Sequence, residues 1–412
     1  MRTGTGTMTR RRFLSAATVL TAGVLAGCAP MARQLARRTP SRAVEPTVPV
    51  GHRAGEAPEG APGEGVDWAR VVAIGRCETY DEAAVEATVR ELVAACGGLG
   101  DIVRPGATVV IKPNMTAGGL TPTRDGRPNN ETYTTHPAVV RAVAVLAREA
   151  GAERIILTEG WGDGVWADNG YEACIDALGA ATLDSDEPAP AADFVSVPVP
   201  NALALDTVLL HEAIVDADVF ISVPKIKCHA SAGITLSIKN VFGCTPLPRY
   251  RERRRDQWRS TMHAGDLGER LPRILVDVLK ARPVDFAVVD GISTIDQGEG
   301  PWIHGSNGAV VRTIKPQLLL AGRNPVALDA VGTAVMGFDP TAPGYTNPFP
   351  SSQNHIALAA AQGLGANRLA EIDVRGLSIE EARFPFTPCP RMTMDGAQRM
   401  HVALCDAARQ RA

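Results

Sequence analysis

Short, almost uninterrupted apolar runs alternate with amphipathic helical patterns from about residue 70 onward. The runs predict strands at Val71–Cys77, Ala107–Lys112, Arg154–Glu159, Phe194–Val199, Asp218–Val223, Val284–Val289 and Pro316–Leu320. The patterns between them predict helices at Asp81–Cys96, His136–Ala150, Tyr171–Leu178, Ser231–Phe242, Leu267–Ala281, Pro325–Met336 and Ile356–Gln362. Strands that lack polar alternation are buried on both faces, which is typical of parallel sheets. We therefore expect an α/β fold, a mostly parallel sheet with helices on both faces in three layers.

Export signals precede this alternating region. Residues 9–15 read TRRRFLS, which fits the twin-arginine pattern of a hydroxyl residue, two arginines, a variable residue, phenylalanine and leucine. The apolar run Ala16–Ala26 is too short to span a bilayer as a helix. It ends in Leu25-Ala26-Gly27-Cys28, the box at which lipoprotein signals are cleaved. We expect residues 1–27 to be a twin-arginine lipoprotein signal, and Cys28 to anchor an extracytoplasmic protein in membrane lipid.

The segment after the signal has a different composition. Residues 28–66 are rich in proline, glycine, alanine and arginine and show no apolar periodicity. Such a segment cannot bury enough apolar surface to offset its ordering entropy, so it predicts a flexible tether. Residues 67–345 are long enough for one large α/β domain, and we expect residues 346–412 to form a helical extension packed on it.

Charge and cysteine spacing exclude two classes of partner. The chain has 42 Lys+Arg and 45 Asp+Glu, and removal of the four arginines in residues 1–27 takes the net charge from −3 to −7. A net acidic domain argues against nucleic-acid binding. Of eight cysteines, the seven besides Cys28 include no C-x-x-C pair, so we expect no iron–sulfur cluster, and the cofactor stays open. An odd number leaves at least one thiol free or paired between chains.

The rarity of lysine marks candidate site residues. The chain has six lysines against 36 arginines, a bias under which arginine is used wherever either cation suffices. Four of the six, Lys112, Lys225, Lys227 and Lys239, follow predicted strands or lie on the helix after one. A lysine ammonium shifts its pKa when buried, whereas an arginine stays charged, so these positions indicate sites that require lysine. Chance and side chains that reach from strand ends to solvent are the alternative.

Polar residues also follow the second and third predicted strands. Lys112 and Asn114 leave one strand, and Glu159 ends the next. Glu159 is either a catalytic or ligand carboxylate or a turn acid. His136 precedes a helix that begins with Pro137, where a histidine that caps the helix is the structural alternative to a metal ligand.

The densest group lies between residues 222 and 244. A helix over 231–242 would place Ser231, Thr235 and Lys239 on one face, with an apolar stripe opposite. Its amino terminus, preceded by Lys225, Lys227 and His229, would be an anion site. A low-pKa thiolate at Cys228, between Lys227 and His229, is one hypothesis, and a buried structural cysteine is the other.

Asp290 directly follows the predicted strand Val284–Val289, and the glycine-rich loop after it contains Gly298, Gly300 and Gly305. Open α/β sheets bind ligands at the carboxyl ends of their strands, which makes Asp290 a candidate catalytic residue. The loop does not follow G-x-G-x-x-G, so no dinucleotide site is predicted.

Together these segments resemble the bacterial family called domain of unknown function 362. The resemblance covers about Val71 to Pro340 and is carried by Ile111-Lys112-Pro113-Asn114, Thr135-His136-Pro137, Val223-Pro224-Lys225-Ile226-Lys227-Cys228-His229, Ser237-Ile238-Lys239-Asn240-Val241-Phe242-Gly243, Asp290-Gly291 with Gly300-Pro301, and Ala327-Leu328-Asp329. Some relatives carry an added ferredoxin-like cysteine array, which is not found in this sequence. Cys228 stands where family members commonly show threonine. The resemblance therefore implies no iron–sulfur function, and the family supplies no reaction.

Three functional hypotheses remain. The first is an enzyme acting on a small anionic substrate, with Lys239, His229 and Asp290 as catalytic residues. Six residues at strand ends or in the family motifs would bind the ligand: Lys112, Asn114, Lys225, Lys227, Ser231 and Asn240. The second is a ligand-binding or maturation lipoprotein that uses the same crevice without turnover. The third is a metal site that includes Glu159 and His136.

Overall fold

The computed structural model describes residues 65–391, except 117–125, 163, 188–193, 255, 257, 264–266 and 301–310. The predicted signal, Cys28 and nearly all of the predicted tether lie outside the described residues. The described part falls within one compact unit, Pro58–Ala412. None of its helices is long and apolar enough to cross a membrane.

Fourteen strands occur in the described part of the chain. They are β1 (Val71–Arg76), β2 (Ala107–Pro113), β3 (Ala152–Glu159), β4 (Ala181–Asp184), β5 (Phe194–Pro198), β6 (Thr207–His211), β7 (Val219–Val223), β8 (Lys227–His229), β9 (Gly233–Thr235), β10 (Phe286–Gly291), β11 (Thr294–Asp296), β12 (Arg312–Ile314), β13 (Leu318–Gly322) and β14 (Asp373–Gly376). Eight of them form one sheet in the order β14-β1-β13-β10-β7-β2-β3-β4. Every neighbouring pair is parallel except those of β13, which runs antiparallel to β1 and β10.

Eleven α-helices connect and cover these strands in the described residues. They are α1 (Glu82–Ala95), α2 (Pro137–Ala150), α3 (Gly164–Asp168), α4 (Glu172–Leu178), α5 (Glu212–Val215), α6 (Ser237–Val241), α7 (Ser260–His263), α8 (Leu267–Ala281), α9 (Pro325–Val335), α10 (His355–Ala361) and α11 (Ile379–Ala382). Capping side chains and a glycine set the ends of several of these helices. The Asp81 side chain caps α1, Asn324 caps α9, and Gly151 ends α2 with a φ of 121°.

Two apolar cores lie on opposite faces of the sheet. Alternate residues of one strand face different cores, as β1 shows: Val72 and Ile74 pack with α6, α8 and α9, whereas Val71 and Ala73 pack with α1 and α2. This arrangement confirms the predicted three-layer α/β fold with a mostly parallel sheet.

The predicted helix over 231–242 is wrong. The chain forms the hairpin β8–β9 there, in which Lys227 pairs with Thr235, and only Ser237–Val241 is helical. Gly233 has a φ of +82°, and a β-carbon at this position would lie 2.4 Å from the Phe349 ring. The close packing of Phe349 and the left-handed backbone thus fix a turn where the apolar spacing had indicated a helix.

The segment after residue 345 is not purely helical, contrary to prediction. It contains α10 and α11, but β14 between them pairs with β1 and forms an edge of the central sheet. The segment therefore belongs to the fold of the domain rather than covering it from outside.

Parallel strands bring the predicted residues to one edge of the sheet. Lys112 on β2 lies opposite Ser222 on β7, and Lys225 bridges to Asp290 at the end of β10. Glu159 ends β3, the neighbour of β2 on its other side. We refer to this region as the carboxyl edge.

Candidate functional site

Lys112 and Glu159 form a buried ion pair at the carboxyl edge. The Lys112 Nζ donates to Glu159 Oε2 at 2.7 Å, and the two side chains are 1% and 5% exposed. Glu159 also accepts from the backbone N–H of Met115 and of Gly160. Both members of the pair are thus held by protein groups.

Lys225 and Asp290 form a second buried pair. Lys225 Nζ donates to Asp290 Oδ2 at 2.8 Å and to Tyr80 Oη at 2.8 Å. Asp290 accepts in addition from the Tyr80 hydroxyl and from the backbone N–H of His136. The His136 ring stacks on Tyr80 at 3.9 Å, and burial lowers its pKa to about 4, against the opposing charge of Asp290. This network ties the loop between β1 and α1, the end of β10 and the start of α2 together, so its geometry assigns Asp290 a positioning role.

Lys227 is fully buried but has a different set of partners. Its Nζ donates to Thr116 Oγ1 at 2.9 Å and to the carbonyl of Tyr133 at 2.7 Å. Both acceptors are uncharged, and burial holds the pKa of Lys227 well below its usual value even though Glu299 opposes the shift. Lys227 is thus a buried amine without a carboxylate in its hydrogen-bond shell in the described part of the chain.

The short helix α6 is fixed firmly against the carboxyl edge. The Asp329 carboxylate accepts from the N–H groups of Ser237 and Ile238, both at 2.8 Å. Asn240 Nδ2 donates to the Lys112 carbonyl at 2.9 Å, and Asn114 Nδ2 donates to Asn240 Oδ1 at 3.1 Å. The amides of Asn114 and Asn240, both predicted to bind ligand, therefore hold α6 in place.

Lys239 projects from this fixed helix and contrasts with the other three lysines. It is partly exposed, its Nζ lies 4.7 Å from the centre of the Phe242 ring, and it forms no hydrogen bond or ion pair within the described residues. Burial lowers the pKa of Lys239 to about 8, and the Arg259 charge adds to this effect while Glu299 opposes it. An amine with this pKa is partly unprotonated at neutral pH.

His229 lies at the end of β8 and is also partly exposed. Its Nδ1 accepts from the backbone N–H groups of Ser231 and Ala232, each at 3.2 Å. This arrangement assigns the ring hydrogen to Nε2. Burial and the charges of Lys239 and Lys227 keep its pKa well below the usual value, so the ring is a neutral donor. Ser231 lies in the β8–β9 turn rather than on a helix.

Sequence patterns missed three residues around this group. Glu299 accepts from the Ala230 N–H at 2.7 Å, and its charge acts on Lys227 and Lys239. The charge of Arg259 lowers the pKa of Lys239, and the charge of Lys239 lowers the pKa of His355. For Glu299 the sequence did offer a signal, the glycines on either side of it. Arg259 and His355 are distant from the other site residues in sequence and approach them only in the folded protein.

Residues 249–259 contain six arginines, and from sequence this insertion is expected to be a solvated surface element. Arg259 does not fit this expectation. It is 8% exposed, pairs with Asp186 at 2.9 Å, and donates to the carbonyls of Thr245 and Gly243. Arg259 thus links the insertion to the segment that follows α6.

Glu159 and His136, the residues predicted to bind a metal, form hydrogen bonds within the protein instead. Glu159 is bound by Lys112 and two amides, and the Nδ1 of His136 accepts from the Ala138 N–H as a helix cap. In the described parts of the chain, no group of three or more His, Cys, Asp or Glu side chains could hold a metal ion. The thiolate hypothesis for Cys228 is also not supported, because burial raises the pKa of its thiol.

A surface cavity at the opposite end of β2 is lined by Thr108, Arg154 and His211. It contains none of the predicted site residues, and we place the functional site at the carboxyl edge on chemical grounds.

The sequence profile of the family described as Domain of unknown function (DUF362) matches residues 109–334, more than half of the chain. The chain belongs to the DUF362 family. The DUF362 match runs from β2 into α9, so it contains the four lysines of the carboxyl edge, His229, Glu299 and Asp329. His355 lies beyond the match.

A thylakoid-associated protein of Synechocystis, sll1697, is similar to this DUF362 chain. It is 33% identical over 290 residues, which cover 70% of this chain and 79% of that protein. Among solved structures, the lactate racemase apoprotein from Thermoanaerobacterium thermosaccharolyticum has a TM-score of 0.35 and 11% identity over 63% of this chain. A Thermotoga maritima protein has a TM-score of 0.33 and 10% identity over 58% of this chain. The alignments span 55% of each solved structure.

Proposed function

We propose that this protein is an exported, lipid-anchored enzyme that acts on a small anionic substrate, carboxylate or phosphate. The substrate would bind at the Lys239 site, which we define as Lys239, His229 and Lys227, three residues whose charges act on one another. The amine of Lys239 would be the reactive group. DUF362 membership and the α/β fold are compatible with this proposal and do not specify a reaction.

One observation carries the proposal: Lys239 is the carboxyl-edge lysine without an ion pair or hydrogen bond in the described part of the chain. Lys112 and Lys225 are neutralised by carboxylates at 2.7 and 2.8 Å. Lys227 is bound by uncharged oxygens, so neither it nor Lys239 has a carboxylate at hydrogen-bond distance in the described residues. An anionic ligand beside Lys239 would favour its ammonium form and bind to it.

His229 supports the same site. With Nδ1 occupied by backbone N–H groups, Nε2–H is available as a hydrogen-bond donor. A neutral donor beside an amine whose pKa is about 8 suits substrate binding and proton transfer near neutral pH.

Thermal unfolding with added anions tests the binding step. Inorganic phosphate or acetate, at matched ionic strength, should raise the melting temperature of the wild-type protein and of Lys315→Met, which removes an exposed lysine outside the site's motifs. Lys239→Met should lose most of this increase, because ligand stabilisation requires binding to the native state. An equal increase in all three proteins would contradict the proposed site.

The export part of the proposal rests on residues 1–28 and has its own test. Arg10→Lys combined with Arg11→Lys should block export, and Cys28→Ala should leave a protein that is not anchored by lipid. The Synechocystis relative is named a thylakoid-associated protein, which supports a membrane location. Efficient export of the double-lysine variant would contradict the twin-arginine assignment.

A further inference from the structure

The thiol of Cys228 contacts a segment that carries a second cysteine. Six cysteines lie in the described part of the chain, and all six are buried thiols. Cys96 and Cys174 donate to the carbonyls of Ala321 and Pro137, and neither carbonyl is close in sequence to another cysteine. Cys228 instead donates, at 3.3 Å, to a carbonyl that lies two residues before a cysteine. The fold therefore brings two thiols to one place.

Residues 383–390, which we call the C-terminal strap, carry that second cysteine, Cys389. The strap follows α11 and is held by backbone hydrogen bonds. The Phe384 N–H donates to a carbonyl of α9 at 2.8 Å, and the Thr387 N–H donates to the carboxylate that ends β11, also at 2.8 Å. Cys389 is 2% exposed and Cys228 is fully buried, and both belong to the same apolar core. The position of Cys389 beside β8 is thus fixed by several contacts.

The Cys228 sulfur contacts the backbone on both sides of the Thr387–Cys389 step. Its S–H donates to the Thr387 carbonyl at 3.3 Å, and the backbone N–H of Cys389 donates a hydrogen bond to the same sulfur. Disulfide-bonded cysteines usually have Cα atoms about 4.4–6.8 Å apart. A thiol that reaches the backbone of the other cysteine fits this separation, so rotation about the Cα–Cβ bonds can bring the two sulfurs together.

We infer that Cys228 and Cys389 are a redox pair, and that they form a disulfide between β8 and the C-terminal strap when another disulfide acts as the oxidant. The thiolate of one cysteine attacks a sulfur of the oxidant, whose S–S bond breaks and releases one thiol. The other cysteine attacks the resulting mixed disulfide and displaces the second thiol. Two protein thiols are oxidised, one oxidant disulfide is reduced to two thiols, and the two protons pass to the released thiolates.

The bond would fasten the strap to the hairpin that carries part of the candidate site. Cys228 stands between Lys227 and His229 on β8, so the bond constrains the strand next to both residues. Burial raises the pKa of both thiols, and only a thiolate attacks, so oxidation should be slow until the strap opens. Disulfides persist in oxidising compartments, which the protein would meet if it is exported as proposed.

Peptide mapping after oxidation tests the inference without reliance on export, because the oxidant is added. The full-length protein is incubated at pH 8 with oxidised glutathione, with and without urea below the unfolding transition, and is digested with trypsin without reduction. Peptides 228–239 and 384–391 each contain one of the two cysteines. They should be joined, faster in urea because local opening exposes the thiols, and dithiothreitol should separate them. If neither condition joins these peptides, the inference is wrong.

Urea unfolding of the oxidised and reduced forms gives a second readout. Oxidation should raise the midpoint of the wild-type protein by about 0.5–1 M, because the bond restricts the unfolded chain. Cys96→Ala, which removes a buried thiol in the core on the other face of the sheet, should keep this increase. Cys389→Ala should lose it. An increase that persists in Cys389→Ala would assign it to another pair of cysteines and overturn the inference.

Discussion

The Lys239 ammonium lies over the ring of Phe242, 4.7 Å from its centre. A cation–π contact at a partly exposed site contributes about 0.5–1 kcal/mol, which is less than the cost of removing an ammonium from water. The difference shifts the equilibrium of Lys239 toward the neutral amine and accounts for a pKa of about 8. The other lysines of the carboxyl edge have hydrogen-bond partners that offset part of this cost.

Lys225 and Asp290 should be strongly coupled in stability. Either Lys225→Met or Asp290→Asn leaves a buried partner uncompensated and should cost about 3–5 kcal/mol of unfolding free energy. The double variant should cost clearly less than the sum of the two, which urea unfolding measures. Strict additivity would show that the pair at 2.8 Å makes no direct contribution.

Gly243→Ala should disturb the Lys112–Glu159 pair. A β-carbon there would lie 3.1 Å from Lys112 Nζ and 3.4 Å from Glu159 Oε1. We expect a loss of about 1–3 kcal/mol in urea unfolding, typical of overpacking. Gly100→Ala is the matched control, since a β-carbon there has no neighbour within 4 Å. Equal stability of the two variants would contradict the described packing.

Arg259→Ala should destabilise the protein far more than Arg254→Ala. Arg259 binds Asp186 and two carbonyls, and its removal leaves a buried carboxylate that costs about 3 kcal/mol or more. Arg254 is exposed in the same insertion and should change stability by less than about 0.5 kcal/mol. If both substitutions change the stability by the same small amount, residues 249–259 are a solvated surface element after all.

His355 should make the protein sensitive to acid. It is fully buried, and neither ring nitrogen has a hydrogen-bond partner of normal geometry in the described residues, although the Ala232 backbone favours the charged form. Burial lowers its pKa to about 3, against about 6.5 in the unfolded chain. The folded state therefore binds fewer protons, and stability present above pH 6.5 is lost as the pH falls toward 3.

At pH 5 the contribution of His355 to the free energy of unfolding should be lower than at pH 7.5 by on the order of 2 kcal/mol. His355→Leu, of similar volume, should remove that part of the pH dependence in urea unfolding. Parallel stability profiles for the variant and the wild type would show that the His355 pKa is not lowered by folding.

Much of the fold follows from sequence because the strands of the central sheet are buried on both faces. Strands such as Val219–Val223 and helices such as Pro325–Val335 lie within a few residues of their predicted bounds. The β8–β9 hairpin was missed because Ile234, Ile238 and Val241 fit a helical period, while pairing with β8 overrides it. Strand β14 was missed because its residues carry no apolar pattern.

The carboxyl edge was predicted because strand direction alone decides which side chains share it. Whether a lysine there is neutralised depends on partners far away in sequence, as with Lys112 and Glu159. No local pattern distinguishes Lys239 from Lys225. Their difference arises from the orientation of α6, which Asp329 fixes from more than 90 residues away.

Competitive acetylation of the lysines across pH 6–11, read by mass spectrometry, tests the Lys239 site most directly, with Lys315 as internal reference. Lys239 should titrate near pH 8, well below the value of about 10.4 for an unperturbed lysine, and saturating inorganic phosphate should raise its midpoint because a bound anion favours the ammonium. Titration of Lys239 near about pH 10.4, unchanged by phosphate, would contradict a reactive amine in an anion site.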